Sequence, residues 1–327
     1  MRRQAAIAGA VAIGLATLAG CTPDVPPAVA APAAQETSAI TQTQIDRIVP
    51  ETFEELAAAD EKRKVSLLGD RVGGAVPNVR KAQYAMVKAG DKAALEEIPS
   101  TMQAVYVSAE GAFPRMMIGV SDAPKDSTPV VLLWLQEDID SEYVLQDWAH
   151  MVPGATLPAM PGTAVGSSQL ALDDATVTPS PQKVVEDYVT LLREGAGSDL
   201  ADEFAPDTFR DRLFASRKVL NTAAKKGDGK YVDTIETRED DTYAIATADG
   251  GALVFAPIVV RSSLRVEGGA TVSISDSDKA LVDGKLKDRV THRYRDMLVI
   301  HIPPASDTEA KPAVVAADHH LISVAAK

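Results

Sequence analysis

Apolar residues follow three patterns along the chain. From Ala5 to Ala19 they form an unbroken run of small side chains without a polar face. From Gln42 onward, Ile45, Ile48, Val49, Phe53 and Leu56 recur at helical spacing. Pro50 interrupts that series and Glu51, Glu54 and Glu55 follow it, an order that suits the first turn of a helix and the positive end of its dipole. The pattern predicts a helix over about 50–64, continuous with a short one before it. A second short helix over 65–72 ends at Gly73-Gly74, where glycine supplies the left-handed conformation that closes a helix. After Pro77 the period drops to two. Arg80, Ala82, Tyr84 and Met86 share one side and Val79, Lys81, Gln83 and Ala85 the other, which reads as a strand. A helical turn over 91–98 precedes four further strands at 102–108, 115–121, 130–136 and 143–152. Gly111, Pro114 and Asp122-Ala123-Pro124 supply the turns between them. Connections this short favour antiparallel neighbours. The first half therefore reads as helices followed by about five antiparallel strands.

Pro153, Pro158, Pro161, Pro179 and Pro181 bracket a segment with little periodicity, and the domain boundary is placed there. Ser180-Pro181 opens a helix with a capping oxygen and proline at the first position, and Gly195 stops it. Another helix starts near Asp207, buries Phe209, Leu213, Phe214 and Leu220, and ends at Gly227. Strands follow over 231–238, 242–248, 252–266, 286–302 and 314–324, with Asp249-Gly250-Gly251 as a tight turn. Residues 268–284 read as a short strand at 271–274 within a mobile loop. The element order of the first half thus recurs. The expected fold class is α+β: two tandem domains, 42–165 and 178–327, each with helices packed on a curved antiparallel sheet.

The start of the chain carries an address. Arg2 and Arg3 precede the apolar run, and Leu18-Ala19-Gly20-Cys21 closes it, the layout of a secretory signal over residues 1–20. Its apolar core, roughly 15 residues, falls short of the ~20 needed to span a bilayer. Cys21 is the only cysteine, so it has no disulfide partner within the chain. Pro23, Pro26, Pro27 and Pro32 among alanines make residues 21–41 an extended tether. Without residues 1–20, 31 basic residues face 46 acidic ones, a formal charge of −15. So acidic a body does not suit nucleic-acid binding, which needs cations to neutralise phosphates.

The sequence Leu18-Ala19-Gly20-Cys21 resembles the lipobox of bacterial lipoproteins, in which the cysteine thiol receives a diacylglycerol and the chain is cut just before it. Two acyl chains suffice for stable anchoring without a spanning helix. With the tether, the stretch Asp70-Arg71-Val72-Gly73-Gly74 leading to Tyr84, and Met151-Val152-Pro153-Gly154-Ala155-Thr156-Leu157-Pro158, the chain resembles uncharacterised actinobacterial surface lipoproteins. Helices on one face of a curved antiparallel sheet, used twice, are similar to the cystatin-like or nuclear-transport-factor-like folds. The resemblance implies a lipid-anchored protein at the outer face of the cell membrane, and it transfers no activity.

Candidate chemistry is sparse. Lys285, Lys287, Arg289, Arg293 and Arg295 share one parity on the strand read over 286–302, which makes a basic stripe and a candidate anion site. His150, His292, His301, His319 and His320 show no zinc-ligand spacing, and the adjacent last two point to opposite faces of a strand. The aspartates, Asp138 with Asp140, Asp173-Asp174 and Asp240-Asp241, read as turn residues. Trp134 and Trp148 read as core. No serine elbow, phosphate loop or cofactor motif is present in the sequence. The expected function is therefore a lipid-anchored envelope binding or scaffold protein without catalysis, whose partner is an envelope protein, polymer or lipid. The alternative is a carrier or enzyme that holds a hydrophobic or anionic ligand in the concavity of one domain. An apolar cavity with a few convergent polar groups favours the alternative, and filled concavities favour the scaffold.

Overall fold

Thr41 caps the first helix, α1 (Gln42–Lys62), by a reciprocal exchange. Its hydroxyl accepts from the Gln44 amide, and the Gln44 side chain accepts from the Thr41 amide. Pro50 lies inside this one continuous helix. The computed structural model describes residues 37–327. The signal reading, Cys21 and the tether up to residue 36 lie outside the described residues. Thr37 to Thr41, at the end of the segment read as tether, dock on the body: the Ala39 amide donates to Ser108 O at 3.0 Å, and Ile40 is buried.

The segment after Pro77 is a helix, α2 (Val76–Lys88), where the alternating pattern predicts a strand. Val76, Val79, Ala82 and Val87 form its buried apolar face, and Pro77 sits in the first turn. The alternation arises because three polar residues, Arg80, Gln83 and Tyr84, are buried as well. Arg80, 1% exposed, pairs with Asp60 at 3.0 Å, and the Tyr84 hydroxyl donates to the same carboxylate at 2.5 Å. The short helix expected at 65–72 is reduced to a 3₁₀ turn, Val65–Leu67. Gly74, at φ 55°, lies so close to the backbone of Gln146 that a Cβ would fall 2.5 Å from its carbonyl oxygen.

Four antiparallel strands follow in sequence order, β1 (Met102–Val107), β2 (Arg115–Ser121), β3 (Val130–Gln136) and β4 (Val144–His150). The sheet has four strands rather than about five because the remaining one is α2. The second half runs β5 (Gln169–Leu170), α3 (Pro181–Glu194), α4 (Thr208–Lys226), β6 (Lys230–Thr237), β7 (Tyr243–Ala246) and β8 (Ala252–Arg265). It continues with α5 (Asp276–Lys279), β9 (Val282–Gly284), β10 (Arg289–Ile302) and β11 (Ala313–Ala326). The excursion before β10 therefore holds α5 and β9 in place of the expected strand at 271–274. The second sheet has the order β5-β7-β8-β10-β11-β9, with β6 also paired to β8. Among the strands of the described residues, only β9 runs parallel to its neighbour. The fold is mixed α+β, built on largely antiparallel sheets.

Three apolar cores explain why the strands carry such continuous hydrophobic runs. One joins α1 and α2 to the first sheet through Phe53, Val79, Leu132, Trp134 and Trp148. Another joins α3 and α4 to the second sheet through Tyr188, Phe209, Val254, Leu298 and Ile300. The third lies between the sheets, where Ile118, Leu133 and Leu135 meet Phe255, Met297 and Val299. Successive residues such as Leu132 and Leu133, or Leu298 and Val299, enter different cores because side chains alternate across a strand. The layers thus run helices, sheet, sheet, helices. Each fully buried Leu, Val or Phe adds roughly 1.5–3 kcal/mol of apolar stabilisation. At one seam the end of β4 meets β11: the Val152 amide donates to Val315 O at 2.9 Å, and Met151 bridges Ala316. Among the described residues no helix is long and apolar enough to cross a membrane.

Candidate functional site

The β10–β11 pair separates two hollows. On β10, Tyr294 and Leu298 pack with the core under α4, while Met297 and Val299 enter the core between the sheets. The same alternation assigns Asp296 to the α4 side and Arg293 and Arg295 to the other.

The first hollow is a cavity of about 790 Å³ beneath α4. Asp207 starts that helix by accepting from the Arg210 amide at 2.8 Å, and the buried Tyr188 hydroxyl donates to the same carboxylate at 3.0 Å. Phe209, Leu213, Ser216 and Leu220, spaced along one helix face, then roof the cavity. Met151 and Val152 extend its apolar wall from the segment after β4.

Two imidazole–carboxylate pairs contribute to the polar side of the cavity, beside Arg212, Tyr231 and Ser262. His319 stands directly opposite Asp296 in the β10–β11 register, and its Nδ1 donates to that carboxylate at 2.9 Å. Asp296 is completely buried, which pushes its pKa up against the opposing pull of His319. Tyr294 stacks on the His319 ring at 3.8 Å. With Nδ1 committed and the ring clamped, Nε2 is the atom of His319 left to bond a ligand. The second pair is His150 with Asp318. The His150 ring Nδ1, at 2.8 Å, and its backbone amide, at 3.0 Å, both donate to Asp318 Oδ2. Burial pulls the His150 pKa down, but the Asp318 hydrogen bond and charge outweigh it and the pKa rises. His150, whose raised pKa favours its doubly protonated form, and the Nε2 of His319, set against an apolar roof, suit a ligand with an apolar body and a polar head.

The second hollow is a cleft of about 760 Å³ where α2 closes the end of the space between the sheets. Lys81, Arg238, Arg293 and Arg295 line it together with Asp147 and Asp241. Arg295 lies 3.5 Å from each aspartate and Arg238 lies 3.1 Å from Asp241. Lys81 and Arg293 have no ion-pair partner among the described residues. Asp147 is buried, which raises its pKa to about 6 in spite of the Arg295 and His320 charges. Of the five stripe residues the cleft gathers Arg293 and Arg295. Lys285 and Lys287 precede β10, and Arg289 is its exposed first residue.

Three of the five histidines, His150, His319 and His320, come together. His319 and His320 diverge as strand alternation requires, the first toward Asp296 and the second toward Glu96 at 3.5 Å. His150 joins them at the seam, while His292 lies 3.4 Å from Asp278 and His301 stands near the far end of β10. The Asp296–His319 pair has a sequence signal in hairpin register, since the two strands are consecutive. His150 and Asp318 are 168 positions apart and have none.

A family model described as a domain of unknown function, DUF8094, matches residues 36–323. The chain belongs to the DUF8094 family. The DUF8094 match takes in both hollows and the seam between them, from Gly74 to Ser323. No curated protein and no solved structure matches the chain.

Proposed function

We propose that this chain is a lipid-anchored binding protein of the cell envelope. Cys21 holds it at the outer face of the membrane, and the cavity under α4 takes up an amphipathic organic ligand. The observation that carries this reading is the cavity itself, about 790 Å³, within the ~300–1,000 Å³ range of small-molecule sites. Phe209, Leu213 and Leu220 would take the apolar body of the ligand, and His150 and His319 its polar head. The recurring order of helices followed by antiparallel strands supports reading each half as a cystatin-like or nuclear-transport-factor-like unit. On that reading the cavity is the concavity of the second unit.

Native mass spectrometry with lipid extraction, on the chain purified from its own host, tests the ligand. An organic molecule bound one to one supports the reading, and a chain that is empty under every extraction condition counts against it. The anchor has a separate test. Cys21→Ser should release the protein from membranes, and continued retention would show that lipidation is not what holds it.

The cleft favours a second reading, an anion site for an envelope polymer or lipid headgroup. Lys81 and Arg293 face it with no ion-pair partner among the described residues, in a protein whose overall charge is strongly negative.

A further inference from the structure

Glu96, Asp318 and His320 form a cluster at the seam, of which the ligand reading uses Asp318 alone, as the partner of His150. Glu96 comes from the loop after α2, and Asp318 and His320, two residues apart on β11, share a strand face. One potential ligand atom from each lies within 4.8 Å of the other two. His320 Nδ1 is 3.5 Å from Glu96 Oε1, and its Nε2 is 3.7 Å from Asp318 Oδ2. His320 is 4% exposed, and its Nε2 has no hydrogen-bond partner among the described residues although it faces this carboxylate. A buried polar atom left in that state costs roughly 1–3 kcal/mol, and a coordinated cation removes the deficit. The carboxylates are already oriented. His150 holds Asp318 with two hydrogen bonds, and the Trp148 indole donates to Glu96 Oε2 at 3.4 Å. Two carboxylates carry the charge that balances a divalent ion. The imidazole selects for borderline transition metals over Mg²⁺ and Ca²⁺, which prefer all-oxygen shells.

We propose that Glu96, Asp318 and His320 bind a divalent transition-metal ion of the zinc class. The ligands come from the first half and from β11, so the ion ties the two halves together at their seam. Coordination requires a neutral imidazole, and the ion therefore takes the place of the proton that the two carboxylates otherwise hold on His320.

The test uses the full chain, purified in detergent without a histidine tag, stripped with a chelator and dialysed against Zn²⁺ at pH 8. Bound metal is counted by elemental mass spectrometry while tryptophan emission is followed, because the Trp148 ring lies 5.1 Å from His320. The expected result is one Zn²⁺ per chain with a change in emission, not displaced by Mg²⁺. Glu96→Gln should weaken binding about 10–100-fold and His320→Gln should abolish it, while His301→Gln binds as the wild type does. The Glu96 side chain is 34% exposed, so its variant keeps the test decisive even if the buried His320 variant fails to fold. Absence of stoichiometric zinc, retention unchanged in both Glu96→Gln and His320→Gln, or loss of zinc in His301→Gln would each overturn the inference.

Discussion

The cavity under α4 and the cleft between the sheets are nearly equal in volume and share the strand pair β10–β11 as a wall, yet they are built for different ligands. Toward α4 the pair presents Tyr294 and His319, backed by the buried Asp296, beneath an apolar roof. Toward the first sheet it presents Arg293 and Arg295, two members of a set of four cations. One strand carries both because neighbouring residues point opposite ways. What separates them is the partner layer. An amphipathic helix brings Phe209, Leu213 and Leu220 to one side, and β4, the turn before β7 and α2 bring Asp147, Asp241 and Lys81 to the other.

The contrast breaks most sharply when one hollow is filled. Leu213→Trp should weaken binding of a fluorescent hydrophobic probe about a hundredfold, ~2.7 kcal/mol, in a titration, and leave anion binding at the cleft unchanged. Equal loss at both hollows would mean that they are not independent. Asp296→Asn removes the charge from the hydrogen bond that orients His319 and should cost about 1–2 kcal/mol in urea unfolding. No change in stability would mean that the pair contributes nothing to the wall.

A third prediction concerns pH, measured with a chelator present. Burial lowers the His320 pKa, but the Glu96 hydrogen bond and the Glu96, Asp318 and Asp147 charges outweigh it and raise the pKa to about 9. A raised histidine pKa contributes stability that is fully present below the unfolded value, about 6.5, and is lost as pH rises through the folded one. Asp147, raised to about 6, exerts its effect at lower pH and does not interfere in this window. Thermal unfolding should therefore show the wild type losing more stability between pH 7 and pH 10 than His320→Gln. Parallel losses would contradict the assignment. The smallest effect is expected at the cleft mouth. Arg293→Gln should change stability by less than ~0.5 kcal/mol and weaken only salt-sensitive binding of a polyanion, as read by binding assays at two ionic strengths.

Much of this architecture is legible in the sequence. Turn residues and short continuous apolar runs place β2 and β3 to the residue, and Ser180-Pro181 and Asp207 mark the starts of α3 and α4. The failure at α2 has a definite cause. Arg80 and Tyr84 are buried by a shared carboxylate, Asp60, so polarity stops reporting exposure on that helix. Residues 37–41 look like tether by composition, yet Ile40 finds a core to enter.

The sites are harder to read. The basic stripe is visible as parity, but parity does not show that the strand begins only at Arg289 or that α2 supplies Lys81. The cavity is invisible because its roof and floor come from residues 209–220 and 294–319, and its second imidazole–carboxylate pair depends on β4 meeting β11. Long-range docking of that kind leaves no local pattern.

The most direct measurement of the central claim is a side-by-side native mass spectrum of the wild type and Leu213→Trp, each purified from the native host. The cavity account predicts a bound amphipathic molecule in the wild type and its absence from the variant, with both chains folded. The same occupancy in both, or none in either, would contradict it.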